Sequence, residues 1–316
     1  MEAQRYPADY DGLVAGAPAQ NSTRSYLAGH LWAALATERD PESYIPAAKM
    51  SILAKAVTAS CDALDGVTDG VIDEPTRCRF DPKVLECAAG QNDNCLTRAQ
   101  VETARAMYAP LKNPKSGAAV FPALLTPGSE PGWGTLAGPE PVGTALDGFK
   151  YVVNKDANWD WRTFDAATDI DRAIAMDKGV LNSADTNLKP FFDRGGRLLM
   201  YHGWADPQVP ALNSVDYFGG VLKTVGKAAA GKSVQLYMVP GMAHCAGGPG
   251  TDTFDKMAAI ERWLREGSAP AQIVAAHLTN GTVDRTRPLC PYGQVARYKG
   301  TGSTDDAANF QCAAAR

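Results

Sequence analysis

The sequence predicts an α/β fold, in which a parallel sheet is covered by helices and a long segment is inserted into the sheet domain. Three short apolar runs, bounded by Gly, Pro or Asp, are predicted as buried strands at Leu13–Ala15, Arg197–His202 and Val234–Val239. The segments Asn213–Val225 and Asp252–Arg265 follow the last two runs and carry apolar residues at helical spacing. Alternation of strand and helix is typical of a parallel sheet.

The sequence gives two further expectations, one for the opening segment and one for the last predicted helix. The opening segment MEAQRYP is predicted as the tail of a helix that Pro7 stops. The last helix is expected to bury one apolar stripe, made of Phe254, Met257, Ile260, Trp263 and Leu264.

The middle of the chain lacks the strand–helix alternation. It carries many prolines, four of the seven cysteines and short predicted helices such as Ala47–Cys61 and Arg98–Leu111. We therefore divide the chain into a first core segment at 1–44, an inserted lid at 45–185 and a second core segment at 186–316.

Composition excludes two classes of partner. The net charge is −4, and Lys and Arg do not cluster, so nothing indicates nucleic-acid binding. No run approaches the ~18 apolar residues that a membrane-spanning helix needs.

The cysteines predict a protein of an oxidising compartment. Six of the seven flank short local segments, which favours three local disulfides and one odd cysteine, although other pairings and seven reduced thiols stay open. Local disulfides indicate a secreted or periplasmic protein, yet Met1 begins no apolar signal segment. We therefore expect an export signal upstream of Met1.

Two polar residues follow neighbouring predicted strands. Asp206 lies in YHGWADP and His244 in VPGMAHCAGG. Taken singly, the aspartate is as well explained as a cap of the next helix, and the histidine as a structural loop residue. Together they have the chain order of the last two members of the Ser–Asp–His triad of α/β-hydrolases. No G-x-S-x-G stretch that would supply the serine occurs in the chain.

A second motif, CDALDGVTDGVID at 61–73, places carboxylates between glycines in one tight loop. Oxygen ligands in a winding loop suit Ca²⁺, although the order differs from that of an EF-hand. A polar turn whose aspartates bond their own backbone is the alternative.

These residues together resemble the tannase/feruloyl esterase family, which includes fungal feruloyl esterases, tannases and a bacterial esterase of plastic monomers. The resemblance extends from Met1 to the C-terminus and is carried by RYPADYDGLVAGAPA, CDALDGVTDGVID, YHGWADP, PGMAHC and RPLCPY…ARYKGTGSTDDAANFQC. It implies an α/β-hydrolase core with a lid over the active site, and hydrolysis of phenolic esters such as gallates and ferulates through an acyl-enzyme.

The resemblance also assigns residues. Asp206 and His244 match the acid and base of the triad, and Cys245 matches a cysteine that bonds to one beside the nucleophilic serine. The calcium ligands it implies are Asp62, Asp65 and Asp69, with the carbonyls of Val67 and Val71. The disulfides it implies are Cys61–Cys78, Cys87–Cys95 and Cys290–Cys312.

One family feature is missing from the sequence. Family members carry a C-S-x-G-G stretch just before the segment that matches MEAQRYP, so we expect the serine roughly eight residues upstream of Met1. On this interpretation Met1 is an internal methionine, and residues 1–316 alone are inactive. The rival hypothesis is a non-catalytic, secreted calcium-binding module that uses the lid as a binding surface.

Overall fold

The structure, a computed structural model, describes residues 1–113 and 117–315. The strands within these residues, numbered in chain order, are β1 (Gly12–Gly16), β2 (Leu111–Lys112), β3 (Ala119–Phe121), β4 (Arg197–Gly203), β5 (Val234–Val239), β6 (Ile273–Thr279), β7 (Thr282–Leu289), β8 (Gln294–Tyr298) and β9 (Phe310–Ala314). The α-helices are α1 (Glu2–Arg5), α2 (Ala28–Glu38), α3 (Ala47–Cys61), α4 (Arg98–Tyr108), α5 (Gly143–Asp147), α6 (Asp169–Asp177), α7 (Lys189–Asp193), α8 (Ala211–Val225), α9 (Lys227–Ala230) and α10 (Lys256–Glu266).

The central sheet has the order β1–β4–β5, and both pairings are parallel. These are the three strands that the apolar runs predicted, so the predicted α/β class is confirmed. In a parallel sheet all strands end at the same edge, which brings the loops after β4 and β5 together. Within the described residues, β1 pairs only with β4 and leaves its other side open.

Helices cover both faces of the sheet. On one face, Phe218 and Val221 of α8 pack in a core cluster with Leu198 and Leu236. On the other face, Trp263 of α10 packs with residues such as Leu199 and Tyr237. Because β4 is buried from both sides, nearly all of its residues are apolar, which explains why it appears in the sequence as a continuous run.

Two predicted helix bounds differ from the structure by three or more residues. The last helix begins at Lys256 rather than Asp252, because the Asp255 side chain caps it by accepting a hydrogen bond from the backbone N–H of Ala258 at 2.8 Å. The helix predicted to Leu111 ends at Tyr108, and Leu111 begins β2. Pro110 explains this end, because proline disfavours the helical conformation in the residue before it.

The predicted apolar stripe of α10 was also partly wrong. Ile260 and Trp263 are buried, but Met257 is 56% exposed and Leu264 is 39% exposed. Met257 and Leu264 are seven residues apart and therefore lie on the same flank of the helix, beside the buried stripe, and this flank is exposed.

The middle of the chain has its own core. The largest cluster of buried residues begins at Leu27 and ends at Ala173, and it includes Trp133 and Phe149. This segment lies against the loop after β4. The Thr126 hydroxyl donates to the carbonyl oxygen of Trp204, and a Cβ on Gly132 would lie 2.7 Å from Cβ of Pro207. The division of the chain at 44 and 185 stays a prediction.

The three predicted disulfides are confirmed. Each joins cysteines close in sequence, with Cα–Cα distances of 5.0 to 5.5 Å: Cys61–Cys78, Cys87–Cys95 and Cys290–Cys312. Cys245 is the one free cysteine in the described part of the chain. Among the same residues, no helix has the length and apolar character that crossing a bilayer requires.

Candidate active site

Asp206 and His244 meet at the carboxyl edge of the sheet. Asp206 lies three residues after β4 and His244 five residues after β5. Nδ1 of His244 donates a hydrogen bond to Oδ2 of Asp206 at 2.8 Å. The two residues that the sequence singled out are therefore in direct contact.

Gly203 allows the two loops to approach this closely. A Cβ at position 203 would lie 2.1 Å from the carbonyl oxygen of Met242, in the loop that carries His244. The same oxygen accepts a hydrogen bond from the backbone N–H of Ala205 at 3.0 Å. The loops thus pack backbone against backbone, which only glycine permits at this position.

The Asp206 carboxylate is buried and held at both oxygens. Oδ1 accepts hydrogen bonds from the backbone N–H groups of Gln208 at 2.8 Å and Val209 at 3.0 Å. Burial by itself favours the protonated acid, but the hydrogen bonds from His202 and His244 outweigh it and lower the pKa of Asp206 to about 2. Asp206 does not cap α8, whose N-cap residue is Pro210. One of its oxygens fixes the turn before this helix, and the other holds His244.

His202 is the residue that sequence reasoning missed. It is fully buried, and its Nε2 lies 3.0 Å from Oδ2 of Asp206 and 3.1 Å from the carbonyl oxygen of Val209. Nδ1 lies 2.8 Å from the Ser214 hydroxyl. Because both neighbours of Nε2 are acceptors, this nitrogen carries a proton. The one signal in the sequence was a polar residue at the end of an otherwise apolar strand.

The other side of His244 is open. Its side chain is 33% exposed, and no hydrogen bond reaches Nε2 from any residue that the structure describes. The hydrogen bond to Asp206 raises the pKa of His244, although partial burial opposes this effect. With Nδ1–H held by Asp206, the Nε2 lone pair is available to accept a proton, as a general base requires.

No serine among the described residues forms a hydrogen bond with Nε2 of His244. Ser214 bonds to His202 instead. Ser233 lies at the start of β5, where it accepts from the Arg197 guanidinium at 3.3 Å. The site therefore pairs an open histidine with the carboxylate that orients it, and neither of these two serines contacts that histidine.

The aspartates of the 61–73 loop bond largely to the loop itself. Asp62 accepts from the backbone N–H groups of Asp69 and Gly70, and Asp65 accepts from that of Val67 at 2.8 Å. Asp69 accepts from Val71 N–H at 3.1 Å. Among the described residues, no three His, Cys, Asp or Glu side chains come together as a metal-binding group.

Two other features of this loop remain compatible with a cation. The carbonyl oxygens of Val67 and Val71 accept no hydrogen bond from the described residues, although both residues are buried. Burial, followed by the charges of Asp69 and Asp62, raises the pKa of Asp65 to about 6. Arg287 offsets part of the negative charge through its ion pair with Asp69. The oxygen donors thus fit Ca²⁺ in type, although the carboxylates are not gathered around one point.

Comparison with known proteins gives consistent matches. The family described as tannase and feruloyl esterase matches residues 1–313. The chain is 34% identical to an uncharacterized esterase of Xanthomonas campestris pv. campestris and 32% identical to the mono(2-hydroxyethyl) terephthalate hydrolase of Piscinibacter sakaiensis, with 99% of this chain aligned in both cases. It covers 62% and 61% of those proteins.

A solved structure agrees with these sequence matches. The crystal structure of feruloyl esterase B from Aspergillus oryzae superposes with a TM-score of 0.90 at 30% identity, over 99% of this chain and 65% of that protein. The chain thus spans less than two thirds of the length of each of these relatives.

Proposed function

Because the chain belongs to the tannase and feruloyl esterase family, we propose that it carries the acid–base part of a serine-type carboxylic ester hydrolase acting on phenolic esters. The observation that carries the proposal is the 2.8 Å hydrogen bond between Asp206 and His244, which leaves Nε2 of His244 open to a reacting group. The named relatives support the ester class, since they include feruloyl esterases and a terephthalate monoester hydrolase.

The geometry suits each proton transfer of ester hydrolysis. Nε2 of His244 takes the proton of the nucleophile as it attacks the ester carbonyl, and Asp206 stabilises the imidazolium that forms. His244 then gives this proton to the departing alcohol, and the acyl-enzyme remains. In the second half of the reaction, His244 activates a water molecule that releases the acid. His202 acts through Asp206, as a positioning residue.

The nucleophile in this proposal comes from outside the described residues, because none of their serines reaches His244. Purified residues 1–316 are accordingly expected not to hydrolyse methyl ferulate or methyl gallate. The assay is a rate measurement with both esters, with H244A as the paired variant. Turnover by the wild-type chain that H244A abolishes would show that a nucleophile lies within residues 1–316, and would contradict this part of the proposal.

We also propose that the 61–73 loop binds one structural Ca²⁺. The ligands would be the carboxylates of Asp62, Asp65 and Asp69 and the carbonyls of Val67 and Val71, which supply the hard oxygen donors that calcium prefers. The loop lies beside the segment that carries His244, since Val71 and Pro240 line the same small cavity. A bound ion would therefore brace the His244 loop and take no part in proton transfer.

Metal analysis of the purified chain tests the calcium proposal. After dialysis against calcium-free buffer we expect about one ion per chain, and markedly less in D65N. D156N is the matched control, because Asp156 lies in an exposed turn of the inserted segment. Absence of calcium from the native protein would contradict the assignment. The disulfides favour an extracellular or periplasmic location for the protein.

A further inference from the structure

A second buried histidine contacts the turn that carries Asp206. His30 is the third residue of α2 and is 1% exposed, and its Nε2 lies 3.0 Å from the carbonyl oxygen of Gln208. A carbonyl oxygen only accepts hydrogen bonds, so Nε2 carries a proton and donates it. The fold thus brings to the Asp206 turn a histidine that takes no part in the proposed proton transfers.

The imidazole of His30 is neutral and holds its proton on Nε2. Nδ1 is buried, and no described residue forms a hydrogen bond with it, so a proton on Nδ1 would be a buried donor without an acceptor. Burial lowers the pKa of His30 to about 4, although the Gln208 carbonyl and the charge of Asp206 oppose this effect. The single N–H group of the ring is therefore used for the hydrogen bond to Gln208.

The Gln208 carbonyl belongs to the same planar peptide group as the backbone N–H of Val209. That N–H donates a hydrogen bond to Oδ1 of Asp206 at 3.0 Å. A continuous series of hydrogen bonds thus runs from Nε2 of His30 through this rigid group to the carboxylate. Because hydrogen bonds in such a series polarise one another, the bond from His30 strengthens the one that Asp206 accepts.

The Asp206 turn is therefore held from two sides by buried histidines. His202, from β4, donates to the carbonyl oxygen of Val209 at 3.1 Å, which belongs to the next peptide group. His30, from α2, donates to the preceding one. Side chains from two separate elements thus fix the peptide groups on both sides of Val209.

His30 is itself held firmly in α2. Its neighbours Leu31 and Ala34 are buried in the same core cluster as Trp133 of the inserted segment. The ring of Tyr26 packs against the imidazole edge to face, with the ring centres 4.8 Å apart. A side chain that is packed in this way has little rotational freedom, so it can fix the position of the turn that it contacts.

We propose that His30 is a positioning residue of the active site, which orients Asp206 through the peptide group that follows Gln208. Without the bond from His30, this peptide group could turn and withdraw the N–H of Val209 from Oδ1. The carboxylate would then be held less firmly, and its contact with Nδ1 of His244 would be less well oriented. This role rests on the proposed function, in which Asp206 orients His244 as the general base.

Titration of the histidine ring protons by NMR in the 316-residue chain tests this role. In H30L the leucine fills much of the space of the imidazole, but it donates no hydrogen bond to the Gln208 carbonyl. We therefore expect the pKa of His244 to fall by about 0.5, part of the way to its value in D206N, because the bond to Asp206 is what raises it.

Two further variants make the test specific. H30Q should keep the pKa of His244 close to the wild-type value, because the amide nitrogen of glutamine lies as many bonds from the backbone as Nε2 of histidine. H277L is the control for the loss of a histidine, since His277 lies on β6 and bonds to Asp284. It should leave the titration of His244 unchanged. If H30L does not fold, H30N takes its place with the same expected decrease, because its amide is one bond too short to reach Gln208.

Two results would overturn the proposal. An unchanged pKa of His244 in H30L, whatever the loss of stability, would leave His30 with a role in packing only. An equal decrease in H30L and H30Q would mean that the N–H group is not what holds the turn. The titration does not depend on ester turnover, so the expected shifts together with an inactive complete protein would contradict the proposed function and leave the role of His30 intact.

Discussion

Oδ2 of Asp206 accepts the Nδ1 proton of His244 at 2.8 Å, although the two residues are 38 positions apart in the chain. The contact arises because β4 and β5 are adjacent and parallel, so that the loops following them meet at one edge of the sheet. The same carboxylate oxygen also accepts from His202. Asp206 thus orients one open histidine while a second, buried histidine holds the aspartate in place.

The pKa of His244 should fall when the negative charge beside it is removed. We predict that D206N lowers the pKa of His244, because the hydrogen bond to the carboxylate is what raises it. An NMR titration of the histidine ring protons measures this directly. D284N is the control, since it removes the carboxylate bound to His277 and should leave the His244 titration unchanged. An unchanged His244 pKa in D206N would contradict the contact.

Removing the Ser214 hydroxyl should destabilise the protein. In S214A, Nδ1 of the fully buried His202 loses its only partner, which typically costs about 1–3 kcal/mol. Urea denaturation of the wild type and the variant gives the free energy of unfolding. S60A removes a hydroxyl on the exposed side of α3 and should change this free energy by less than about 0.5 kcal/mol. Equal stability of S214A and the wild type would argue against the hydrogen bonds that connect Ser214 through His202 to Asp206.

Gly203 should tolerate no side chain. In G203A the new Cβ would lie 2.1 Å from the carbonyl oxygen of Met242, so the His244 loop must move. We expect a loss of roughly 1–3 kcal/mol in the free energy of unfolding, together with a lower His244 pKa as its bond to Asp206 lengthens. G219A is the matched control, because a Cβ there meets nothing within 4 Å and alanine favours the helix. Native stability and an unchanged His244 pKa in G203A would mean that the loops are less closely packed than described.

Acid should destabilise the protein partly through Asp206. Its pKa is about 2 in the folded state and ~3.9 in an unfolded chain, so its contribution to stability is present above pH ~4 and is lost as the pH falls towards 2. The urea concentration at which half of the protein is unfolded should therefore decrease as the pH is lowered from 5. This decrease should be less steep in D206N. Parallel pH profiles for the two proteins would contradict the lowered pKa.

The parts of the fold that follow from local patterns were predictable. The strands could be predicted because β1, β4 and β5 are short apolar runs in a sheet that is covered on both faces. The contact between Asp206 and His244 could be expected because each residue follows such a strand. His202 was missed because its role depends on Ser214 and Val209, which the fold brings to it. The exposure of Met257 was missed because helical spacing places it beside the buried stripe but does not say how much of the helix the sheet covers.

The most direct test of the account is the hydrolysis of methyl ferulate by the protein translated from the complete reading frame that contains these residues, as the wild type and as H244A. The account predicts that the wild type hydrolyses the ester and that H244A lowers kcat by a factor on the order of 10³ or more, because the general base is lost. Equal rates for the two proteins, or no hydrolysis by a correctly folded wild type, would contradict the central claim that His244, held by Asp206, is the base of an ester hydrolase.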